Sequence, residues 1–320
     1  MAKINMVAAI NQALAQEMER DGDVVVMGED VGKDGGVFRV TEGLLDRFGP
    51  ERVMDTPLSE LALVGCGVGM AAYGLKPVVE IQFMAFAYEA IEQIYSHATR
   101  LRARSRGRFT CPLVVRTPYG IGIKGPELHS ESSEALFCHM PGIKVVVPST
   151  PYNAKGLLIS AIRDAGPVVF LEPARLYRSI KSEVPEGPFT VPLGRAEVFQ
   201  EGKSITVIAW GTMLHRAVEA SEGFDCEIID LMTLKPFDEE TVLNSVKKTG
   251  RAVIVHEATR YCGLGAELAA FLAEEAIMHL KGPVKRVASP DAVVPMAALE
   301  DYYVPTAGRI RKAFEEAMKY

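Results

Sequence analysis

Val24-Val25-Val26-Met27-Gly28-Glu29-Asp30 is the stretch that decides the fold. Three β-branched residues and a methionine run without polar interruption, then give way to a glycine and two acids. A strand with one wet face alternates apolar and polar side chains. A continuous apolar run belongs to a strand covered on both faces, as in a parallel sheet. Similar runs stand at 77–81, 113–116, 144–147 and 168–171. Between them, helical spacing appears at 4–20 (Ile4, Val7, Ala8, Leu14, Met18), 60–74, 84–104, 131–138 and 151–164. Residues 31–55 are rich in glycine without periodicity and read as an ordered loop region.

Residues 181–192 hold three prolines among glycine and charge, so the linker is expected at 186–200. Beyond it the alternation resumes, with strands at 205–210, 226–231, 252–255 and 284–287. Helices are expected at 212–222, 238–248, 265–280 and 306–318. The expected fold is α/β, two open and mostly parallel sheets with helices on both faces, in domains 1–185 and 201–320. A chain of 320 residues fits two such domains better than one core.

Composition narrows the function classes. A net charge of −6 argues against a nucleic-acid partner, because neutralising phosphates requires a basic face. No apolar run reaches the ~18 residues of a membrane span. The N-terminus lacks the apolar core of a secretory signal, so a cytoplasmic protein is expected. The cysteines Cys66, Cys111, Cys138, Cys226 and Cys262 are odd in number and hold no Cys-x-x-Cys, which points to reduced thiols rather than disulfides or zinc.

Ligands in open α/β sheets gather at the carboxyl ends of strands. The candidates there are Gly28-Glu29-Asp30, the turn at 83–86 and the loop 117–130. Ser59-Glu60 opens a helix, where Glu60 reads as a capping carboxylate or as a functional acid. Gly65-Cys66-Gly67-Val68-Gly69 resembles half of a dinucleotide fingerprint, but it lies inside a helix rather than at a strand-to-helix turn. The loop Thr117-Pro118-Tyr119-Gly120-Ile121-Gly122 leads to His129, which is either a surface histidine or one exchanging protons near neutral pH. His256 and Glu257 end a strand in the second half and are further candidates. Nucleophile-elbow, nucleotide-loop and transition-metal spacings are absent. Spacing alone ends at two α/β domains with a carboxylate and histidine site.

Several stretches together resemble the β chain of the decarboxylating first component (E1) of 2-oxo acid dehydrogenase complexes. They include Gly28-Glu29-Asp30-Val31-Gly32, Asp55-Thr56-Pro57-Leu58-Ser59-Glu60, residues 80–94, His129-Ser130 and Pro141-Gly142-Ile143-Lys144. The second half contributes Val207-Ile208-Ala209-Trp210-Gly211-Thr212 and Ile229-Asp230-Leu231. The resemblance implies a thiamine-diphosphate-binding pyrimidine domain followed by a transketolase C-terminal-like domain. It places Glu60 on the carboxylate that hydrogen-bonds the cofactor's pyrimidine ring and favours the imino tautomer. Phe86 falls on the aromatic against the aminopyrimidine, and Glu29 on a second acid near that ring. His129 falls on the active-site histidine that meets substrate or the lipoyl group. Leu113, Ala161 and Asp164 match potassium ligands, although Gly166 stands where several relatives have Asn.

The resemblance also explains an absence. The Gly-Asp-Gly and following Asn that hold diphosphate and magnesium are missing, and in such enzymes the α subunit supplies them. An α2β2 heterotetramer with the E1 α subunit is therefore expected, acting on a lipoylated dihydrolipoyl transacylase core. Leu128-His129-Ser130-Glu131, Leu176-Tyr177-Arg178 and the 196–212 region look most like branched-chain members, with pyruvate or acetoin as alternatives. An NAD-dependent dehydrogenase and a non-catalytic scaffold are the readings from other classes.

Overall fold

The computed structural model describes residues 1–320. The first half supplies Ala2–Ile4 (β1), Val24–Gly28 (β2), Val53–Asp55 (β3), Lys76–Glu80 (β4), Val114–Tyr119 (β5), Lys144–Val146 (β6), Val168–Pro173 (β7) and Ser182–Val184 (β8). The second half supplies Glu197–Gln200 (β9), Ile205–Ala209 (β10), Cys226–Asp230 (β11), Thr233–Lys235 (β12), Ala252–Thr259 (β13) and Lys285–Ser289 (β14). The larger sheet runs β12-β6-β7-β5-β4-β2-β3 and the smaller β14-β13-β10-β11-β9. Each is parallel except at one edge, where β12 lies antiparallel on β6 and β9 antiparallel on β11. Every residue of β2, β7, β10 and β11 is buried, which is why their sequences lack alternation.

The helices bury their apolar stripes on these sheets. Met6–Arg20 starts where Asn5 accepts a hydrogen bond from the Ala8 amide at 3.0 Å. It begins after residue 4 because Ala2–Ile4 pairs with Ser182–Val184. Its buried Glu17 is held by Arg163 at 2.6 Å, from the neighbouring helix Pro151–Arg163.

Two expectations need qualification. Residues 186–200, expected as the linker, form an ordered strap. The Val191 amide donates to the Gly156 carbonyl at 3.1 Å, and Ser160 Oγ donates to the Val191 carbonyl at 2.6 Å. A Cβ at Gly156 would stand 2.5 Å from Val191, so the strap crosses the helix where a side chain is missing. Glu197–Gln200 then forms an exposed strand at the sheet edge, which carries no apolar pattern to announce it. The helix expected over 84–104 is broken into a 3-10 turn Met84–Phe86, a helix Ala87–Glu92, a π segment Gln93–Ala98 and a short helix Leu101–Arg104. Apolar spacing does not distinguish these pieces from one α-helix.

The two sheets share a core. One cluster of buried side chains runs from Leu63, Val79 and Val115 through Trp210 to Leu268. Acidic groups are shut into this seam. Burial pushes Glu134 up to about 8, with Tyr119 and Trp210 close by on the opposing side of the balance. Burial likewise pushes Asp230 up to about 7, although Ser149 Oγ donates to it at 2.7 Å. Glu257 also rises to about 7 through burial. His256, stacked on Trp210 with ring centroids 5.5 Å apart, is held down to about 4 by burial.

The three acids bind protons more tightly folded than unfolded, so their contribution to stability is lost as pH rises through their folded values. Unfolded His256 is still half charged at its ordinary 6.5, so its opposing effect fades only above that value and offsets at most one of the three acids below it. The melting temperature is expected to fall between about pH 6.5 and 8.5, and Glu134→Gln should flatten that fall, as thermal unfolding across pH would show.

Candidate active site

Strands β2, β4 and β5 are parallel neighbours, so their carboxyl ends open on one rim. Gly28 ends β2 because a Cβ there would lie 2.6 Å from the Glu80 carbonyl. Glu29 follows at 7% exposure. Beside it, Ser59 caps the helix Glu60–Ala72 only loosely, its hydroxyl 3.5 Å from the Ala62 amide, and Glu60 is 6% exposed. Burial raises the Glu29 carboxyl, and the charges of Glu60 and then Asp30 raise it further against the Ser59 amide. Glu29 Oε1 is buried without a hydrogen-bond partner. The structure therefore brings the two expected acids together.

The end of β4 supplies an aromatic layer. Phe83 packs edge-on to Phe86 at 5.5 Å between centroids, and His129 stands 4.2 Å from Phe83 and 5.5 Å from Phe86. His129 Nδ1 is buried and unpartnered. The rims of β2 and β4 are tied by Gln82 Nε2, which donates to Asp30 at 3.0 Å. The 84–88 segment is tied to the histidine loop through Tyr88, which bonds Ser133 Oγ and donates to Glu131 at 3.2 Å. Expected residues Glu29 and Glu60 thus form one group, and Phe86 and His129 another on the same rim.

Sequence reasoning missed the floor of this site. Arg116, 1% exposed, donates to Glu172 at 2.6 and 2.8 Å and to Glu80 on its other side. Tyr177 donates to Glu172 at 2.6 Å and packs on Phe38, whose ring meets Phe83 at 5.8 Å. The signal was a charged residue within each of three apolar strands, Glu80, Arg116 and Glu172.

The glycine run lies inside the helix Glu60–Ala72. A Cβ on Gly67 would stand 3.0 Å from both Leu113 and Val79, so this glycine serves helix-to-sheet packing. Leu113 and Ala161 already receive the amides of Val168 and Asp164 on their carbonyls, at 2.9 and 3.2 Å. Lys144 Nζ lies 2.9 Å from Asp164, so an ammonium group neutralises the carboxylate expected to face potassium. Each carbonyl keeps a second lone pair, so what this structure sets against a potassium ion is the Lys144 ammonium competing for Asp164.

Residues 2–180 match the family of the transketolase pyrimidine binding domain and residues 194–310 that of the transketolase C-terminal domain. A solved structure described as a split gene transketolase, inactive beta4 tetramer, superposes with a TM-score of 0.81 at 26% identity, covering 99% of each chain. Curated relatives sharpen the class. A pyruvate dehydrogenase E1 component subunit beta of Acholeplasma laidlawii is 50% identical over 97% of this chain and 96% of its own length. The protein of the same description from Bacillus subtilis strain 168 is 46% identical over the whole of both chains. This chain belongs to the E1 β-subunit family of the 2-oxo acid dehydrogenases, enzyme subunits of a thiamine-diphosphate-dependent family.

Replacing Arg116 by Met leaves Glu80 and Glu172 buried without their counter-charge. A loss of about 3–5 kcal/mol in unfolding free energy is expected, measured by denaturant titration.

Proposed function

We propose that this chain holds the aminopyrimidine end of thiamine diphosphate in a pyruvate-decarboxylating E1, with Glu60 as the cofactor-activating carboxylate. The observation that carries the reading is the pair of nearly buried acids, Glu60 and Glu29, on one rim with Phe86 and His129. Bound thiamine diphosphate would supply a carbanion-type nucleophile and an electron sink for decarboxylation. The residues present fit its ring, with an orphaned acid oxygen on Glu29 and an aromatic wall at Phe83 and Phe86.

Each residue's part follows from its surroundings. Glu60 accepts or shares a proton at a ring nitrogen. The Glu29 carboxyl is raised by burial and then by the charge of Glu60, so it holds a proton more readily than an exposed carboxyl. Phe86 orients the ring by stacking area, and His129 moves a proton at the substrate or at the incoming lipoyl group. The aromatic wall excludes water around these groups.

The β chain does not carry a Gly-Asp-Gly motif, so an E1 α subunit would hold diphosphate and magnesium in an α2β2 assembly. Leu58 at 81% exposure, Leu61 at 46% and Tyr73 at 92% leave apolar surface around the Glu60 helix, which supports a partner there. The lipoylated transacylase core is the expected acceptor, and domains 1–185 and 201–320 are the proposed units. No helix is long and apolar enough to cross a membrane.

The branched-chain expectation gives way on substrate. It rested on short stretches around His129, Tyr177 and Trp210, whereas the relatives named for pyruvate match essentially end to end. Pocket shape discriminates neighbouring acyl chains weakly, so local likeness carries less weight than full-length identity.

Co-expression with a Gly-Asp-Gly-bearing α partner is expected to give a complex that decarboxylates pyruvate at least tenfold faster than 2-oxoisovalerate, on the order of one pocket-sized difference in binding. A reversed ratio would restore the branched-chain reading, and failure to bind any such partner would sink the proposal. In that complex Glu60→Gln should lower kcat by roughly 10²-fold or more while the complex still assembles, as steady-state kinetics and gel filtration would report.

A further inference from the structure

The loop that carries His129 is fastened from the second domain. Glu257, at the end of β13 and 2% exposed, accepts hydrogen bonds from the Ile121 amide at 2.5 Å and from Ser132 Oγ at 3.2 Å. Glu300, 1% exposed, accepts from Ser130 Oγ at 2.5 Å and from the Gly122 amide at 3.3 Å. Arg175, which follows β7, adds an ion pair with Asp301 at 2.6 Å. The neck of the loop closes where the Gly120 amide donates to the Glu131 carbonyl at 2.9 Å.

The loop's glycines are spaced for these anchors. Gly120 has φ +78, and a Cβ there would fall 2.3 Å from Glu257 Oε1. Gly122 has φ +133, and a Cβ there would fall 2.7 Å from the Arg175 backbone. His129 itself is fixed weakly. Its Nδ1 has no partner, and the ring rests on Phe83 and Phe86. What sets its position is therefore the backbone on either side, above all Ser130, the residue next to it and the one Glu300 holds.

We propose that Glu257 and Glu300 are positioning residues, by which the second domain sets His129 over the first domain's site. The inference rests on reading His129 as an active-site residue. It assigns the second domain a direct part in the chemistry, since a shift between domains would move the histidine.

Amide hydrogen exchange on the full chain tests the anchoring without any turnover. Glu257→Ala is expected to speed exchange at residues 121–132 about tenfold or more, while Glu257→Gln, which keeps an acceptor oxygen, stays within about threefold. Should Glu257→Ala fail to fold, the paired Ser130→Ala and Ser132→Ala variant removes one side-chain anchor to Glu300 and one to Glu257 from the loop side, and the same faster exchange is expected. Unchanged exchange in the folded variants overturns the proposal. In the assembled enzyme, the loss of turnover caused by Glu257→Ala should vanish in a His129→Gln background, because both act through one group. Additive losses overturn it. If the unaltered assembly does not turn over a 2-oxo acid, the proposed function fails, and the exchange result still judges the anchoring.

Discussion

The guanidinium of Arg116, closed between Glu80 and Glu172, is the interaction on which the site depends. It joins β4, β5 and β7 in the interior, beside the last residue of β4. Burial alone would drive Glu80 toward its neutral form, and Arg116 opposes this. The cost of enclosing three charges is offset only while all three are present. Because Tyr177 bonds Glu172 and packs on Phe38, the network also fixes the aromatic layer under His129.

Above that floor, the site is assembled from chain segments that share only a strand direction. Parallel pairing puts the ends of β2, β4 and β5 side by side, and the residues following each strand then meet. Glu29 and Glu60 are brought close enough that the charge of Glu60 adds to burial in raising the Glu29 carboxyl.

The second domain is more than a neighbour. Its strand β12 completes the first sheet's edge, its Trp210 enters the common core, and its Glu257 and Glu300 reach the histidine loop. The buried acids of this seam, Glu134, Asp230 and Glu257, make the contact between domains sensitive to proton uptake. The fold thus links domain packing to the setting of a single side chain.

The sequence by itself determined that 24–27, 168–171 and 205–209 are covered on both faces, because they lack alternation, and their shortness and β-branched content favour strands of a parallel sheet. It also determined the start of the Glu60 helix, and its family motifs named Glu29, Glu60, Phe86 and His129. The edge strand Glu197–Gln200 holds only Val198 and Phe199 as apolar residues, adjacent and exposed, so it shows no burial pattern, and a single π segment is too short to show a period of its own. Only the tertiary structure decided which charges neutralise which. Arg116 and Glu172 are 56 residues apart, and Ser130 and Glu300 are 170 apart. Local patterning encodes which side chains are covered, whereas pairing across such distances is fixed by how the sheets and domains come together.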